Sequence, residues 1–328
     1  MKRFVFLLLL ATAGNSSFAC DYCNCFSGIT PYDNQSSIDV TYRYKSFYGN
    51  PLQEHGPIFP DGSLRHAMPS EPGTIQHETG HEMAAEEYEV FRNAEIRGKY
   101  YIHQRIEVNA AIGYRSAEHL DMENNVGHRA SGIGDLTLFA GYHIINRPDA
   151  VLQMRLIAGG GVKLPTGLNN VTSDGERIDN DMQPGTGSTD ALAYCNYIIA
   201  RHKLGAELYG LYKKNGINAH NERISDNAAA QFSLFYKIKK NGWYLIPSCV
   251  ATYDATKGMY VDGLLEEGSD ASLLTAGVGA DVYYKNIGFK AAFQLPVFDH
   301  STGELYNTAR ISFGLCYNFD QLNFLLGK

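Results

Sequence analysis

Residues 132–167 carry the sequence GIGDLTLFAGYHIINRPDAVLQMRLIAGGGVKLPTG. On both sides of the central Asn146-Arg147-Pro148-Asp149, apolar side chains recur at every second position and alternate with polar or small ones. An alternation with period 2 is typical of a strand that presents two different faces, and proline and aspartate together favour a turn. The stretch therefore predicts a β-hairpin, with strands at about 132–145 and 150–164.

The same alternation extends along most of the chain. It predicts twelve strands in total, at about 38–48, 88–101, 106–115, 132–145, 150–164, 190–200, 204–213, 228–238, 243–253, 272–284, 287–297 and 308–319. After the first residues, no apolar stretch reaches the length that a membrane-spanning helix needs. The predicted fold class is therefore all-β.

Short and long connections alternate between the predicted strands. The long ones are polar and cover residues 49–87, 116–131, 165–189, 214–227, 254–271 and 298–307. Short turns at one end and long loops at the other are typical of outer-membrane barrels, because lipid tolerates only helices and closed barrels. We therefore predict a transmembrane, antiparallel up-and-down β-barrel of about 12 strands. A soluble β-domain, whose apolar face would form a dry core, is the alternative that periodicity alone leaves open.

Composition agrees with a barrel and argues against two other classes. The 328 residues include 33 Gly, 22 Tyr and 16 Phe but only one Trp, and the net charge is −7. A mean hydropathy of −0.25 argues against a bundle of membrane-spanning helices. The acidic balance argues against a nucleic-acid partner, since such proteins usually carry a basic surface.

The N-terminus has the pattern of a secretory signal peptide. Lys2 and Arg3 precede an apolar run at 4–13, and Ser17-Phe18-Ala19 is a small-x-small cleavage site. We therefore predict four parts: a signal peptide at 1–19, a Cys-rich periplasmic segment at 20–36, a barrel at 37–319 and a short tail at 320–328. Lipidation of Cys20, which would follow the cleavage site, is an open alternative.

Two groups of side chains could bind a metal. Cys20, Cys23 and Cys25 are spaced closely enough to converge on copper or zinc, although a disulfide or a lipid anchor explains them as well. His77 and His81 belong to an H-E-x-x-H pattern in the long, His-rich loop 49–87, which we place outside the cell. A zinc protease needs that pattern on a helix, and this loop lacks an apolar helix face. The sequence therefore leaves copper or zinc as a candidate cofactor and predicts no catalytic residue.

Charged residues lie on the polar face of the predicted strands. In a membrane barrel this face lines a wet lumen, whereas the apolar face meets lipid. The candidate lumen-lining residues are Arg43, Glu95, Arg97, Glu107, Asp135, Arg155, Lys163, Glu207, Lys290 and Arg310. Asp135 is expected to point towards Arg155 or Lys163.

Two neighbouring motifs carry a resemblance to a known family. Gly132-Ile133-Gly134-Asp135-Leu136 through Tyr142, followed by Gly159 through Lys163-Leu164-Pro165-Thr166-Gly167, resembles the outer-membrane barrel family named for the meta-cleavage pathway of phenol degradation. The Cys-rich start followed by Gly28-Ile29 is similar to a Bacteroidetes-type subset of that family. The resemblance implies a transporter-like barrel, akin to fatty-acid channels, for small apolar or aromatic molecules. It implies no agreed substrate-binding residues.

Three functions are compatible with these patterns. The first is a channel or transporter for small solutes in the outer membrane of a Gram-negative cell, with a narrow lumen that the loop 49–87 could block. The second is a copper- or zinc-binding barrel that uses the Cys and His groups. The third is a surface barrel without transport, such as an adhesin or scaffold. The expected partners are outer-membrane lipid, a small-molecule solute and the barrel-assembly machinery that inserts the protein.

Overall fold

Twelve antiparallel strands close into a barrel, which confirms the predicted fold class. The structure is a computed structural model that describes residues 35–49, 87–121, 126–173, 175–265, 271–301 and 305–319. The wall strands are β1 (Ser36–Gly49), β2 (Glu87–His103), β3 (Ile106–Asp121), β4 (Val126–Ile133 and Leu136–Arg147), β5 (Leu152–Leu164), β6 (Asp190–Arg201), β7 (Leu204–Lys214), β8 (Asn227–Tyr236, continued by Ile238–Lys240), β9 (Trp243–Thr256), β10 (Ala271–Tyr284), β11 (Ile287–Ser301) and β12 (Leu305–Phe319).

Every wall strand pairs with its neighbours in the chain, and the first strand pairs with the last. The closing β1–β12 ladder sets Ile38 opposite Tyr317 and Tyr42 opposite Phe313. Closure leaves no unpaired sheet edge, so the backbone groups of the wall are satisfied without water. Among the described residues, no helix has the length and apolar character needed to cross a bilayer.

The fourth strand is interrupted, and this break is central to the interior. Its first part pairs with the far half of β3, from Tyr114 to Asp121, and its second part pairs with the near half, from Ile106 to Ala111. Gly134 and Asp135 lie at the break between the two parts, and the amide of Gly134 still donates to the carbonyl of Gly113 of β3 at 2.7 Å. The Asp135 side chain lines the lumen at this point.

The predicted faces agree with the observed ones. Large apolar side chains on the outer face are exposed, for example Ile38 at 49%, Tyr114 at 53% and Leu315 at 56%. The inner face instead buries charged groups such as Glu95 and Lys290. An apolar exterior around a polar interior suits lipid outside and water within, and it excludes the soluble alternative with a dry core.

Two of the predicted long loops are wrong in length. β3 continues to Asp121 and β4 begins at Val126, while β11 continues to Ser301 and β12 begins at Leu305. Residues 116–131 and 298–307 are therefore mostly strand. These hairpins continue the ladders of the wall, and each pair of backbone groups is satisfied by extending the sheet.

The segment 165–189, which we call the plug loop, folds into one end of the barrel. Its Ile178 and Met182 are buried against Phe47, Phe91 and Ala117 of the inner wall. The sequence predicts a long external connection here, and it does not predict that this connection turns into the lumen. The candidate blocking loop 49–87 lies outside the described residues apart from its ends.

The opposite end, where the short turns lie, has its own apolar cluster. Ala200, Phe235, Ile246 and Tyr283 are almost fully buried there, with Tyr244 packed against them. On the outer face at the same end, the rings of Trp243 and Tyr284 stack at 4.5 Å. The plug loop narrows the described lumen at one end and this cluster narrows it at the other. The side chains that line the part in between are mostly polar.

Candidate functional site in the barrel lumen

Two chambers lie inside the barrel, one above the other. The loop-side chamber is a cavity of about 110 Å³ bounded by Pro184 of the plug loop and by charged groups such as Arg115 and Lys213. The turn-side chamber measures about 120 Å³ and extends to Ser37 and Asn318 near the described chain ends. A water molecule occupies roughly 30 Å³ in the liquid, so each chamber has room for only a few waters.

Four residues line both chambers, and we call them the neck: Arg97, Phe139, Tyr194 and Tyr209. The Phe139 and Tyr194 rings meet edge to face at 5.6 Å, and the Tyr194 and Tyr209 rings stack at 6.3 Å. The guanidinium of Arg97 lies 5.7 Å from the centre of the Phe139 ring. A solute that moves from one chamber to the other must pass these groups.

Two glycines explain why the Tyr194 ring folds against the wall. Gly141 and Gly159 face each other across the β4–β5 ladder, and the Tyr194 ring lies directly over both. A Cβ at Gly159 would overlap the carbonyl oxygen of Ala140 and lie 2.5 Å from Cε1 of Tyr194. These two glycines therefore make room for an aromatic side chain in the lumen.

Ion pairs hold the charged residues around the neck. Glu95 accepts from Arg97 at 2.9 Å and lies 3.6 Å from Arg43. On the neighbouring part of the wall, Lys290 pairs with Asp39 at 3.1 Å. These groups are largely buried, so the pairs are only weakly screened by water.

A second polar cluster anchors the plug loop to the wall. Asp135 accepts hydrogen bonds from the amide of Gly167 at 2.9 Å, the amide of Thr186 at 2.9 Å and the hydroxyl of Thr186 at 2.8 Å. Lys163 lies 3.1 Å from Asp135 and 2.5 Å from Asp190. The Gly-Asp-Leu motif and the Lys-Leu-Pro-Thr-Gly motif thus meet in one polar cluster. We call this cluster, made of Asp135, Lys163, Gly167, Thr186 and Asp190, the latch.

The plug loop also contacts the connection between β7 and β8. Arg177 pairs with Glu222 at 2.8 Å, and the side-chain amide of Asn218 donates to the carbonyl of Thr186 at 3.3 Å. Gln183 is fully buried and bonds back to Val171 through both ends of its amide. The plug loop is therefore an ordered part of the lumen, held by polar contacts on several sides.

One carboxyl group of the plug loop sits among like charges. Burial and the nearby Glu89 and Asp179 raise the pKa of Asp181 to about 7. Glu89 itself is bonded to His119 at 3.0 Å. Docking of the plug loop therefore places, at this end of the barrel, a carboxyl group that changes its charge near pH 7.

A buried cluster lies on the wall of the turn-side chamber. Glu107 contacts Nε2 of His143 at 3.2 Å and accepts from the hydroxyl of Tyr194 at 3.1 Å. His143 is fully buried, and its ring meets that of Tyr101 at 5.4 Å. These contacts fix Tyr194 at the neck. None of the three has a nucleophile beside it among the described contacts.

The structure places the predicted lumen residues as follows. Glu95, Arg97, Asp135 and Lys163 line the loop-side chamber, and Arg97 is shared with the turn-side chamber. The turn-side chamber is also lined by Arg43, Glu107, Arg155, Glu207 and Lys290.

Arg310 lies apart from both chambers and pairs with Asp254 of β9 at 2.5 Å. Of the two partners expected for Asp135, Lys163 is the one observed. Whether the lumen residues act in permeation stays a prediction.

The predicted metal ligands lie elsewhere. Cys20, Cys23, Cys25, His77 and His81 all fall outside the described residues. Within the described part of the chain, no group of three or more His, Cys, Asp or Glu residues could hold a metal ion. The copper or zinc hypothesis therefore stays a prediction.

The aromatic neck and the plug loop were missed by the sequence patterns. Phe139 lies on the inner face of β4, and its ring lines the lumen. The sequence patterns predicted only polar groups on that face. A usable signal was present in the paired small residues, because inward glycines on adjacent strands leave space that a neighbouring ring can fill.

Comparison with known proteins agrees with this geometry. No family model matches the chain, and no curated protein is similar to it. The COG4313 outer membrane channel from Pseudomonas putida F1 superposes with a TM-score of 0.59 at 15% identity, covering 89% of this chain and 100% of that one. The chain has the fold of an outer-membrane β-barrel.

Two other solved structures superpose less well. The transport unit of the autotransporter AIDA-I from Escherichia coli covers 90% of this chain and 93% of that one, with a TM-score of 0.47 at 10% identity. LpxR from Salmonella typhimurium covers 86% of this chain and 100% of that one, with a TM-score of 0.39 at 10% identity. The resemblance to the phenol-pathway family is tested by none of these and stays a prediction.

Proposed function

We propose that this protein is a channel for small solutes in the outer membrane of Gram-negative cells, and that the plug loop closes it in the conformation described here. The observation that carries the proposal is the pair of chambers joined at a neck inside a lipid-facing barrel. A structural scaffold would have no need for a hollow, charged interior, because a barrel of this strand number can be filled by side chains.

The size and polarity of the path favour small polar or amphipathic solutes. Each chamber is close to 110–120 Å³, and charged groups such as Arg115, Lys213 and Glu207 line the walls. A purely apolar solute would displace water from these charged groups without offering a polar group in its place, which costs free energy. The apolar or aromatic solutes implied by the family resemblance are therefore less favoured than solutes with a polar or charged group.

Conductance of the purified barrel in planar bilayers tests the proposal. Asp135→Ala removes the acceptor that holds Gly167 and Thr186 of the plug loop, so we expect this variant to conduct more, and for longer, than the native protein. Asp149→Ala is the matched control, since Asp149 is exposed in the short turn between β4 and β5. A folded Asp135→Ala barrel with no conductance above that of lipid alone would rule out the channel.

The metal-binding alternative rests on residues outside the described part of the chain. Elemental analysis of the purified protein, before and after His77→Ala with His81→Ala, tests the histidine group. Metal bound by the native protein and lost from the variant would support it. An equal background level in both would end it.

A further inference from the structure

The charge of the lumen is opposite to that of the chain. The chain as a whole has a net charge of −7. The two chambers together are lined by eight Lys or Arg side chains but only five Asp or Glu side chains. A narrow path with low-dielectric walls focuses the field of such groups onto whatever enters it. The surplus of positive charge is smaller in the loop-side chamber, because Lys163 lies between the carboxylates of Asp135 and Asp190.

The surplus is concentrated at the neck. Arg97 and Arg43 share one carboxylate, Glu95, so the three groups together carry one positive charge. The Arg97 side chain lines both chambers, so its guanidinium lies beside any solute that passes the neck.

Neighbouring groups add no further surplus to the turn-side chamber. Lys99 and Lys290 both line it beside Asp39, and Asp39 pairs with Lys290 at 3.1 Å. Asp281 is buried and stands opposite Lys290 in the β10–β11 ladder, so these two cations face two carboxylates. The positive surplus that a solute meets is therefore centred on the neck.

We infer that the neck is an anion-binding selectivity site, with Arg97 as its centre, and that small carboxylates are the class of solute it takes. An ion that passes between the rings of Phe139, Tyr194 and Tyr209 loses part of its water, which is tolerable only where an opposite charge replaces it. The guanidinium supplies that charge for a carboxylate and matches its planar geometry. A cation of the same size meets the same positive group and is repelled. Rings of Arg or Lys are how pores commonly favour anions.

The transport part of this inference rests on the proposed channel, whereas the binding part does not. Binding is tested by anomalous diffraction from crystals of the purified barrel soaked in sodium bromide or in rubidium chloride. We expect a bromide peak in the lumen beside the guanidinium of Arg97 and no rubidium peak at the neck. The bromide peak is expected to vanish in Arg97→Gln. A native crystal without bromide at the neck, or with equal bromide in Arg97→Gln, overturns the inference.

Selectivity is tested by reversal potentials of the barrel in bilayers under gradients of potassium chloride and potassium acetate. The native barrel should favour chloride and acetate over potassium. Arg97→Gln should lower the anion-to-cation permeability ratio about tenfold, because one charge at close range changes an ion's free energy by more than 1.4 kcal/mol. Arg97→Lys should keep most of the preference. Lys203→Gln, in an exposed turn, is the control and should change nothing.

A second substitution, which should change the anion preference in the opposite direction, distinguishes a loss of selectivity from a general disturbance of the fold. Glu95→Gln removes the carboxylate that Arg43 and Arg97 share, so anion preference should rise, whereas Arg97→Gln should lower it. Heat-modifiable migration on gels shows that each variant still forms a barrel. A conducting native barrel that prefers potassium, or that gives equal selectivity in both variants, overturns the inference but leaves the channel standing. Bromide bound at the neck of a barrel that never conducts would support the anion-binding site but rule out the proposed channel.

Discussion

Removal of the Asp135 carboxylate should release the plug loop, and the structure gives the size of the effect. Asp135 accepts hydrogen bonds from the backbone amides of Gly167 and Thr186, both at 2.9 Å. Its side chain is only 3% exposed, so little solvent screening weakens these bonds. A hydrogen bond to a charged acceptor contributes about 1.5–3 kcal/mol. The two together therefore stabilise the docked ends of the loop by about 3–6 kcal/mol.

Hydrogen–deuterium exchange of the barrel in detergent measures this directly. In Asp135→Ala, exchange at the amides of Gly167 and Thr186 should accelerate about 100-fold to 10,000-fold, since each 1.4 kcal/mol lost is a factor of ten in the opening equilibrium. Asp135→Asn keeps one acceptor oxygen and should give a smaller acceleration. The amide of Leu168 donates instead to the carbonyl of Ile133 of β4 at 3.0 Å, so its exchange reports whether the whole loop has undocked from the wall.

Unchanged exchange would refute the reasoning. If Gly167 and Thr186 exchange at the native rate in a folded Asp135→Ala barrel, the latch does not hold the loop, and the remaining contacts suffice. Asp149→Ala serves as the control for the loss of one carboxylate from the protein. Its plug-loop amides should exchange as in the native chain.

Three further perturbations follow from the same contacts. Met182→Ala should weaken docking of the plug loop by about 2–5 kcal/mol, because the side chain is buried against Phe47 and Phe91; limited proteolysis within 165–189 should speed up, whereas Leu264→Ala, at a residue 75% exposed, should have no effect. Docking should weaken as the pH rises from about 4 to about 7, since the Asp181 carboxyl, whose pKa is raised to about 7 in the docked loop, stays protonated over this interval whereas the same group in the released loop ionises. Conductance should increase over this interval, and Asp181→Asn should flatten the pH profile; a profile with the same slope in that variant would contradict the assignment. Gly159→Ala should lower the temperature at which the folded gel band disappears and cost about 1–3 kcal/mol, because the new Cβ overlaps the Tyr194 ring. In Gly98→Ala the added Cβ meets nothing within 4 Å, so this variant should melt like the native barrel.

The wall of the barrel could be predicted from local patterns because each strand carries its own signal. Ile38, Val40 and Tyr42 alternate with polar residues in the sequence itself, before any tertiary contact is made. Such a strand suits a wall with lipid on one side and water on the other. The lengths of the extended hairpins at 116–131 and 298–307 could not be obtained in this way, because pairing beyond the membrane depends on the partner strand and not on apolar periodicity.

The sequence alone determined the period, the strand number and the sign of each face, since these follow from neighbours two residues apart. The position of the plug loop and the neck was decided only in three dimensions. Tyr194 reaches Glu107 across 87 positions of sequence, and Asp135 reaches Thr186 across 51. Such contacts depend on which strands lie side by side and on the space that Gly141 and Gly159 leave. Closure of the barrel fixes both, because it sets the order and register of all its strands at once.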